Sequence, residues 1–510
     1  MKNIKIFFIV VIIGLLVSCT KDFEETNTNP NVPITVKPDL LLSGVIRNTI
    51  TDQVNEAWSI GNIVAQHTAK IQFVNEDRYL WGERSGIWNS VYGNMRNLQN
   101  IINFSSSPDA PQNNYLGVAL ILKSWLYSIA TDTYGDIPYT EATKGKTGGI
   151  FTPKYDKQED VYNGILADLK KANEILGTSN ESISGDILFG GGSASIIKWK
   201  KLANSLRIRA LMRISKKKNV SADLQAIVSN LTQNPVFVSN DDNAELKYLE
   251  TAPNQFPLYS SRVGSFDEFR VSKALSDRLT AINDPRLKVF GRSSEKSVAA
   301  GAPKIEGIPN GLGDVAALNY NGGPQGVSRI GISYACLVCN DNGPAPVSNV
   351  AKGLLMTYPE LQFLLAEAKE KGLITAGETA ETYYKNGITA NVEYHKKNVP
   401  LQYNIDLTLP ANYFTQAGVA YTGTTNDKLA KIALQKWIAL YFNGTEAWFD
   451  WRRTGMPEII PGPGNLNNGK VPIRYIYPLA EQSLNATNRS EAVARQGGTD
   501  DLNTKIWLLQ

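Results

Sequence analysis

Apolar residues that recur at three- and four-residue steps over long stretches constrain this chain more than any other feature. In Asp160–Leu176, the residues Val161, Ile165, Leu169, Ala172 and Leu176 fall on one face of a helix. Leu116–Ala130 and Ile196–Ile214 read the same way, with Trp125, Trp199, Leu202, Leu206 and Ile214 turned inward. A helix with one apolar face must bury it against another element, so the chain is expected to fold as packed helices. With 510 residues, 42% hydrophobic and 20% charged, it is neither a disordered tail nor a polytopic membrane protein. Its length suffices for roughly two to four packed units. Lysine and arginine total 52 against 48 acids, a formal charge of +4 that is too even for a nucleic-acid surface. The only histidines are His67 and His395, which rules out a three-histidine zinc site and an HExxH helix.

The clearest repeat-like unit begins at Met356. Leu361–Ala368 forms one helix, stopped by Gly372, and a second runs through Ala380, Tyr384, Gly387, Ile388 and Val392. Small residues, a glycine stop and an Ala-x₃-Tyr-x₃-Ile spacing resemble a tetratricopeptide helix pair. One such pair cannot bury its own apolar face, so further helices should stack on it. Lys428–Trp451, with Ile432, Trp437, Leu440, Tyr441 and Trp448, is the expected partner. Glycine and proline punctuate Ala299–Gly331 and Asn340–Pro346, which read as long irregular segments. The expected fold is mainly α: a tetratricopeptide-like scaffold with long irregular loop insertions and minor strands.

The first residues have a different character. Lys2 and Lys5 precede an apolar run from Ile6 to Val17, too short for a comfortable membrane span and suited to a signal peptide. The run ends in Leu16-Val17-Ser18-Cys19, which resembles a bacterial lipobox, so residues 1–18 read as a lipoprotein signal peptide and Cys19 as the lipidated residue. Two or three acyl chains on one cysteine would anchor a chain firmly. Thr20-Lys21-Asp22-Phe23-Glu24-Glu25 resembles an acidic tag that sends lipoproteins to the outer face of the outer membrane. Residues 19–38, ending in the Pro/Asn-rich stretch Thr26–Pro38, read as the acylated cysteine and its tether, leaving 39–510 as the body.

Taken in order, the motifs resemble the SusD/RagB outer-membrane lipoproteins, in particular the SusD-like subgroup. They are the lipobox, Asn27-Thr28-Asn29-Pro30-Asn31, Asp132–Tyr139, Asp284-Pro285-Arg286-Leu287 and Met356-Thr357-Tyr358 with the helix after it. Gln435–Leu440, Glu446–Gly455, Pro478, Asn485–Asn488 and Lys505-Ile506-Trp507 follow. The resemblance implies an α-superhelical scaffold and a non-catalytic nutrient receptor at the cell exterior. It also implies a SusC-like TonB-dependent transporter as partner and a glycan, or alternatively a peptide, as ligand. The ligand site would lie among irregular insertions, and no cofactor is implied.

Catalytic readings fare worse. Glu446 and Asp450 stand four apart on a helix and could pair as acid and base. Arg452 and Arg453 follow at once, however, and would hold both carboxylates ionised in an ion-pair network beside Trp448 and Trp451. Asp132 and Asp136 read as turn and helix-end acceptors for backbone amides. No G-x-S-x-G elbow occurs, and Gly145-Lys146-Thr147 lacks the earlier glycine of a phosphate-binding loop. Cys336 and Cys339 suit a short disulfide pinning a loop, with two buried free thiols as the alternative. Asn240-Asp241-Asp242-Asn243 offers oxygen ligands, so a structural calcium ion is conceivable, but the spacing of a recognised calcium loop is absent.

A saccharide presents flat C–H faces to aromatic rings and hydroxyls to Asn, Asp, Arg and Gln. Aromatics at helical spacing, namely Trp88, Trp125, Trp199, Trp437 and Trp448, are therefore read as core. Loop aromatics and their polar neighbours are the candidates for ligand contact, in regions around 70–90 and 250–350. They are Arg78, Tyr79 and Trp81; Asn254, Phe256, Tyr259, Arg262 and Phe266; and Tyr320 and Tyr334.

Overall fold

The computed structural model describes residues 37–337 and 344–510. The signal-peptide, Cys19 and Asn27–Asn31 readings fall outside these residues, as does Cys339. Helix α1 (Pro38–Glu56) opens the described chain, with Pro38 at its start, where a missing N–H costs nothing. It buries Leu42, Val45, Ile46, Ile50 and Val54. Helices α2 (Gly86–Ser105), α3 (Asn113–Tyr134), α4 (Gln158–Ile175) and α5 (Gly192–Ile214) follow, each packed on the one before it. The periodic residues that predicted α3 to α5, including Trp125 and Trp199, are buried.

The expected helix pair is present as α7 (Tyr358–Glu370) and α8 (Ala380–Asn398); α6 (Lys273–Ala281) precedes it in the chain. The pair packs closely because a Cβ at Gly387 would lie 2.7 Å from the Phe363 ring. Thr357 and Thr379 cap the two helices by accepting from the amides of Glu360 and Thr382. The predicted partner, Lys428–Trp451, is two helices rather than one. Helix α9 (Thr425–Ala439) ends before Phe442 and Gly444, both at positive φ, and α10 (Glu446–Thr454) starts anew. The strands described are short and form three antiparallel pairs. These are β1 (Thr68–Lys70) with β5 (Phe269–Val271), β2 (Ile137–Pro138) with β3 (Tyr155–Asp156), and β4 (Ala244–Lys247) with β6 (Lys352–Met356).

Buried ion pairs join helices that are distant in sequence. Glu367 of α7 accepts both Arg453 nitrogens, Nη1 at 2.5 Å and Nη2 at 2.6 Å, and Lys436 Nζ at 3.1 Å. Asp450 closes the square, 2.8 Å from Arg453 and 2.9 Å from Lys436. Burial alone would raise Glu367, but Arg453 and Lys436 overcome it and hold the carboxyl well below the usual range. Asp450 is lowered by the same two cations. Glu446, the other half of the acid–base reading, pairs with Arg213 of α5. Asp132 lies inside α3 rather than in the expected turn, where it pairs with Arg213 of α5 and accepts from the Tyr162 hydroxyl of α4. Asp136 accepts the Gln158 amide as expected, and Arg495 besides.

Glu367→Gln is expected to destabilise the protein by about 3–5 kcal/mol at pH 7, because Arg453 and Lys436 lose their shared anion in a buried site. The stabilisation given by Glu367 is full above its ordinary pKa and fades as pH falls through its depressed one. Urea melts at pH 7 and in acid should therefore show the gap between wild type and variant narrowing toward low pH.

Candidate functional site

Parts of the two loop regions singled out in the sequence, around 70–90 and 250–350, fold together into one body, while other parts join the main core. Strand β1 pairs with β5 in the register Thr68↔Val271, Ala69↔Arg270, Lys70↔Phe269. Beyond the strands, Ile71 N–H donates to Glu268 O at 2.8 Å and Lys70 Nζ meets Glu268 at 3.1 Å. Asn310 is the central clasp. Its Nδ2 donates to Thr68 O at 2.8 Å and to Asp77 Oδ1 at 2.7 Å, while its Oδ1 accepts from Ser272 Oγ at 2.5 Å. A small second core of Ala69, Ile71, Val74, Ile308, Ala317 and Val327 fills the interior, with Leu312 and Tyr320 packed on it.

Two side chains fix this body to the scaffold. His67 is fully buried, its ring packed on Trp437, and Nε2–H donates to Trp437 O at 2.9 Å. Burial pushes the imidazole down to about 3, so it stays neutral. Arg286 grips Asp284 through Nε and Nη2, then reaches Asn391 of α8 at 2.8 Å and Gln435 of α9 at 2.5 Å.

On the surface of the body lies a cleft of about 800 Å³. One wall is a single face of α6, with Lys273, Ser276, Asp277 and Thr280 at three- and four-residue steps. The other wall is the 304–307 segment with Tyr320 and Asn321. Tyr320 is half-buried, and Gly322 and Gly323 at positive φ turn the chain back directly after it. Lys273 pairs with Asp277 at 2.8 Å, and Glu306 is steadied by Ser294 Oγ at 2.6 Å. One aromatic ring amid ammonium, carboxylate, hydroxyl and amide groups can bind a hydroxylated molecule, and nothing in it provides a nucleophile with a base beside it.

Residues 30–478 match the family model described as SusD-like, starch-binding and associating with the outer membrane. The chain belongs to the SusD-like family. Among solved structures, a SusD homolog of Bacteroides fragilis is 26% identical, with a TM-score of 0.79, over 93% of this chain and 100% of its own. A structure described as a chitin-binding protein is 29% identical, with a TM-score of 0.76, over 92% of this chain and 99% of its own. A chitin-binding SusD homolog of Flavobacterium johnsoniae, at 24% identity and a TM-score of 0.73 over 92% and 98%, shares the fold. No curated protein matches the chain. The family is one of binding at the outer membrane, and this SusD-like chain is a binding protein rather than an enzyme.

Within the SusD-like body the proposed ligand residues separate sharply. Tyr79, Trp81, Phe256, Phe266 and Tyr334 are all buried and act as core rings. Trp81 lies edge-on to Trp448 and Tyr475 and donates Nε1–H to Glu76 O, while Phe266 stacks on Trp58 at 5.1 Å and Tyr334 on Phe442 at 4.6 Å. Loop composition marked them as available, but long-range packing claims both ring faces. Arg78 spends its guanidinium on Gly464 O at 2.8 Å. Asn254 and Tyr259 are half-buried and Arg262 is exposed, away from the residues that line the cleft. Only Tyr320, of the ten, lines it. Cys336 is disulfide-bonded. In the Asn240–Asn243 turn, Asp242 is held by Lys201 and the Val238 amide, and Asp241 pairs with Lys397. Sequence reasoning missed Phe73, 67% exposed in the same body at a φ of 52°, a conformation rare for a bulky residue. It also missed the polar face of α6.

Asp77 gives the loop body a pH signature. Burial pushes its carboxyl up to about 6, against the hydrogen bonds from Asn310 and the Lys70 amide. The folded body therefore binds this proton more tightly than the unfolded chain does. The stabilisation it gives is present in acid and is lost as pH rises through about 6. Relative to Asp77→Asn, the wild type should gain on the order of 2–3 kcal/mol between pH 7.5 and pH 4. Paired denaturation curves across that range test this, and parallel pH profiles would refute it.

Proposed function

We propose that this protein is a cell-surface lipoprotein, anchored through Cys19, that captures an oligomeric glycan and hands it to a SusC-like TonB-dependent transporter. The observation that carries the glycan reading is the Tyr320 cleft, where one ring face meets a rim of hydroxyl, amide, lysine and carboxylate groups. The likeness to a chitin-binding protein supports the same ligand class. Binding needs no chemical step. The family's association with the outer membrane supports delivery, because a captured oligomer must still cross it.

Affinity electrophoresis of residues 20–510 through gels holding starch, glycol chitin and other soluble polysaccharides tests this reading. Retardation by at least one polymer is expected, and Tyr320→Ala should weaken it about three- to tenfold, the worth of one stacking ring. Trp81→Ala serves as the contrast. It should cost about 3–5 kcal/mol of stability through a core cavity, whereas Tyr320→Ala, at a half-buried ring, should lower the melting temperature clearly less. Free migration through every gel would overturn the glycan reading and put a peptide in its place.

A further inference from the structure

A second cleft, of about 660 Å³, lies between α1 and α2, outside the loop body. That volume falls within the roughly 300–1,000 Å³ typical of small-molecule sites. On α1 the lining positions 48, 51, 52, 55 and 56 form one stripe, beside the buried stripe of Val45, Ile46, Ile50 and Val54. Helix α2 brings Gly86, Asn89, Ser90 and Asn94 to the opposite wall.

Several polar groups here are already held by one partner with a second atom left over. Asp52 Oδ2 accepts from Ser90 Oγ at 2.6 Å, leaving Oδ1. Glu56 Oε1 accepts from the Tyr475 hydroxyl, leaving Oε2, and a Cβ at Gly86 would lie only 3.6 Å from that oxygen. Asn94 Nδ2 donates to Ser90 O at 2.8 Å, leaving Oδ1 as an acceptor. Arg47 is tied to Pro253 O at 2.7 Å. The side-chain amides of Asn48, Asn55 and Asn89 make no hydrogen bond to another described residue and supply both donors and acceptors. Groups oriented in advance lose less entropy when a ligand arrives.

Both donors and acceptors line this cleft, and no aromatic ring is among its lining residues. Such a lining suits the hydroxyls of one or two sugar units rather than a stacked chain. Arg84 acts on Glu56 from outside the lining, whereas Asp52 is held only by Ser90, and that carboxylate disfavours an acidic sugar and favours a neutral or amino-bearing one. We propose that the α1–α2 cleft is a second saccharide site, for a neutral or amino sugar of one or two units, separate from the Tyr320 cleft. It depends neither on Tyr320 nor on delivery to a transporter.

Saturation-transfer NMR on residues 20–510 with glucose, glucosamine, N-acetylglucosamine and glucuronate, each at millimolar concentration, tests the proposal. At least one of the first three should give a signal that Asn55→Leu/Asn89→Leu weakens at least about fivefold, the loss of an ordinary hydrogen bond. Tyr320→Ala should leave that signal in place, and glucuronate should be the weakest of the four. Asn55 and Asn89 are exposed, so an unchanged melting temperature will show that the double variant is folded. Absence of signal from all four sugars would overturn the proposal. So would signals indifferent to the Asn55/Asn89 variant, and signals lost only with Tyr320 would return them to the first cleft. Because polymer retardation reads Tyr320 and these signals read Asn55 and Asn89, either site can fail without the other.

Discussion

A single buried glutamate sets the geometry of the scaffold. Glu367 receives Arg453 through two nitrogens and Lys436 through a third bond, so α7, α9 and α10 meet at one carboxylate. Apolar helix faces bury area without fixing how far one helix slides along another, whereas a bidentate arginine–carboxylate pair tolerates little displacement. The same device recurs at the neighbouring joint. Arg209 of α5 holds Glu360 of α7 through two bonds and also reaches Leu355 O, which places β6. Arg213, one turn on, bridges α3 and α10 through Asp132 and Glu446. Each of these charges is expensive to bury alone and becomes tolerable only when every partner is in register.

From that frame the loop body inherits its position. Arg286 touches α8 and α9 at Asn391 and Gln435, and His67 touches α9 at Trp437. Both contacts lie at the base of the body, opposite in role to the surface formed by α6, the 304–307 segment and Tyr320. Anchoring through a few buried polar groups leaves the outer face only local duties, such as Ser276 accepting the Gly307 amide and Asn321 donating to Gly326 O. Residues there can change with the ligand at small cost to the fold.

The scaffold was legible in the sequence because its signals are local. Period and the Gly372 stop lie within a few residues of the helices they define, and Gly387 beside Phe363 explains the small-residue pattern of the pair. Of the Glu446/Asp450 ion-pair reading, the Asp450–Arg453 pair needed only neighbours, whereas Glu446 takes Arg213 of α5 and Arg452 donates to Ile473 O. The break between α9 and α10 was not legible, because the positive φ at Phe442 falls on a residue that normally avoids it. The SusD-like motifs themselves are scaffold residues: Arg286, Gln435 and Asp450 are all in the buried polar joints. That is why they announce the family and say little about the ligand.

Most candidate rings are buried for a physical reason that bears on reading any such chain. A loop of this length does not lie on the surface as a strand of accessible residues; it builds a core of its own, here around Ile71, Val74 and Ile308. Its large rings go instead into the main core, against Trp58, Trp448, Tyr475 and Phe442, since each removes more apolar area from water than any aliphatic side chain. Trp81 and Phe266 are thus drawn inward because they are aromatic, the property that recommended them as ligand contacts. Binding chemistry is left to residues too polar to be drawn in and to the ring that glycines hold at the edge, Tyr320. The polar stripe of α1 illustrates the converse. In sequence it looks like an ordinary solvated helix face, and it becomes a cleft only because α2 sets a second polar stripe opposite it, a fact of tertiary structure that no local period carries.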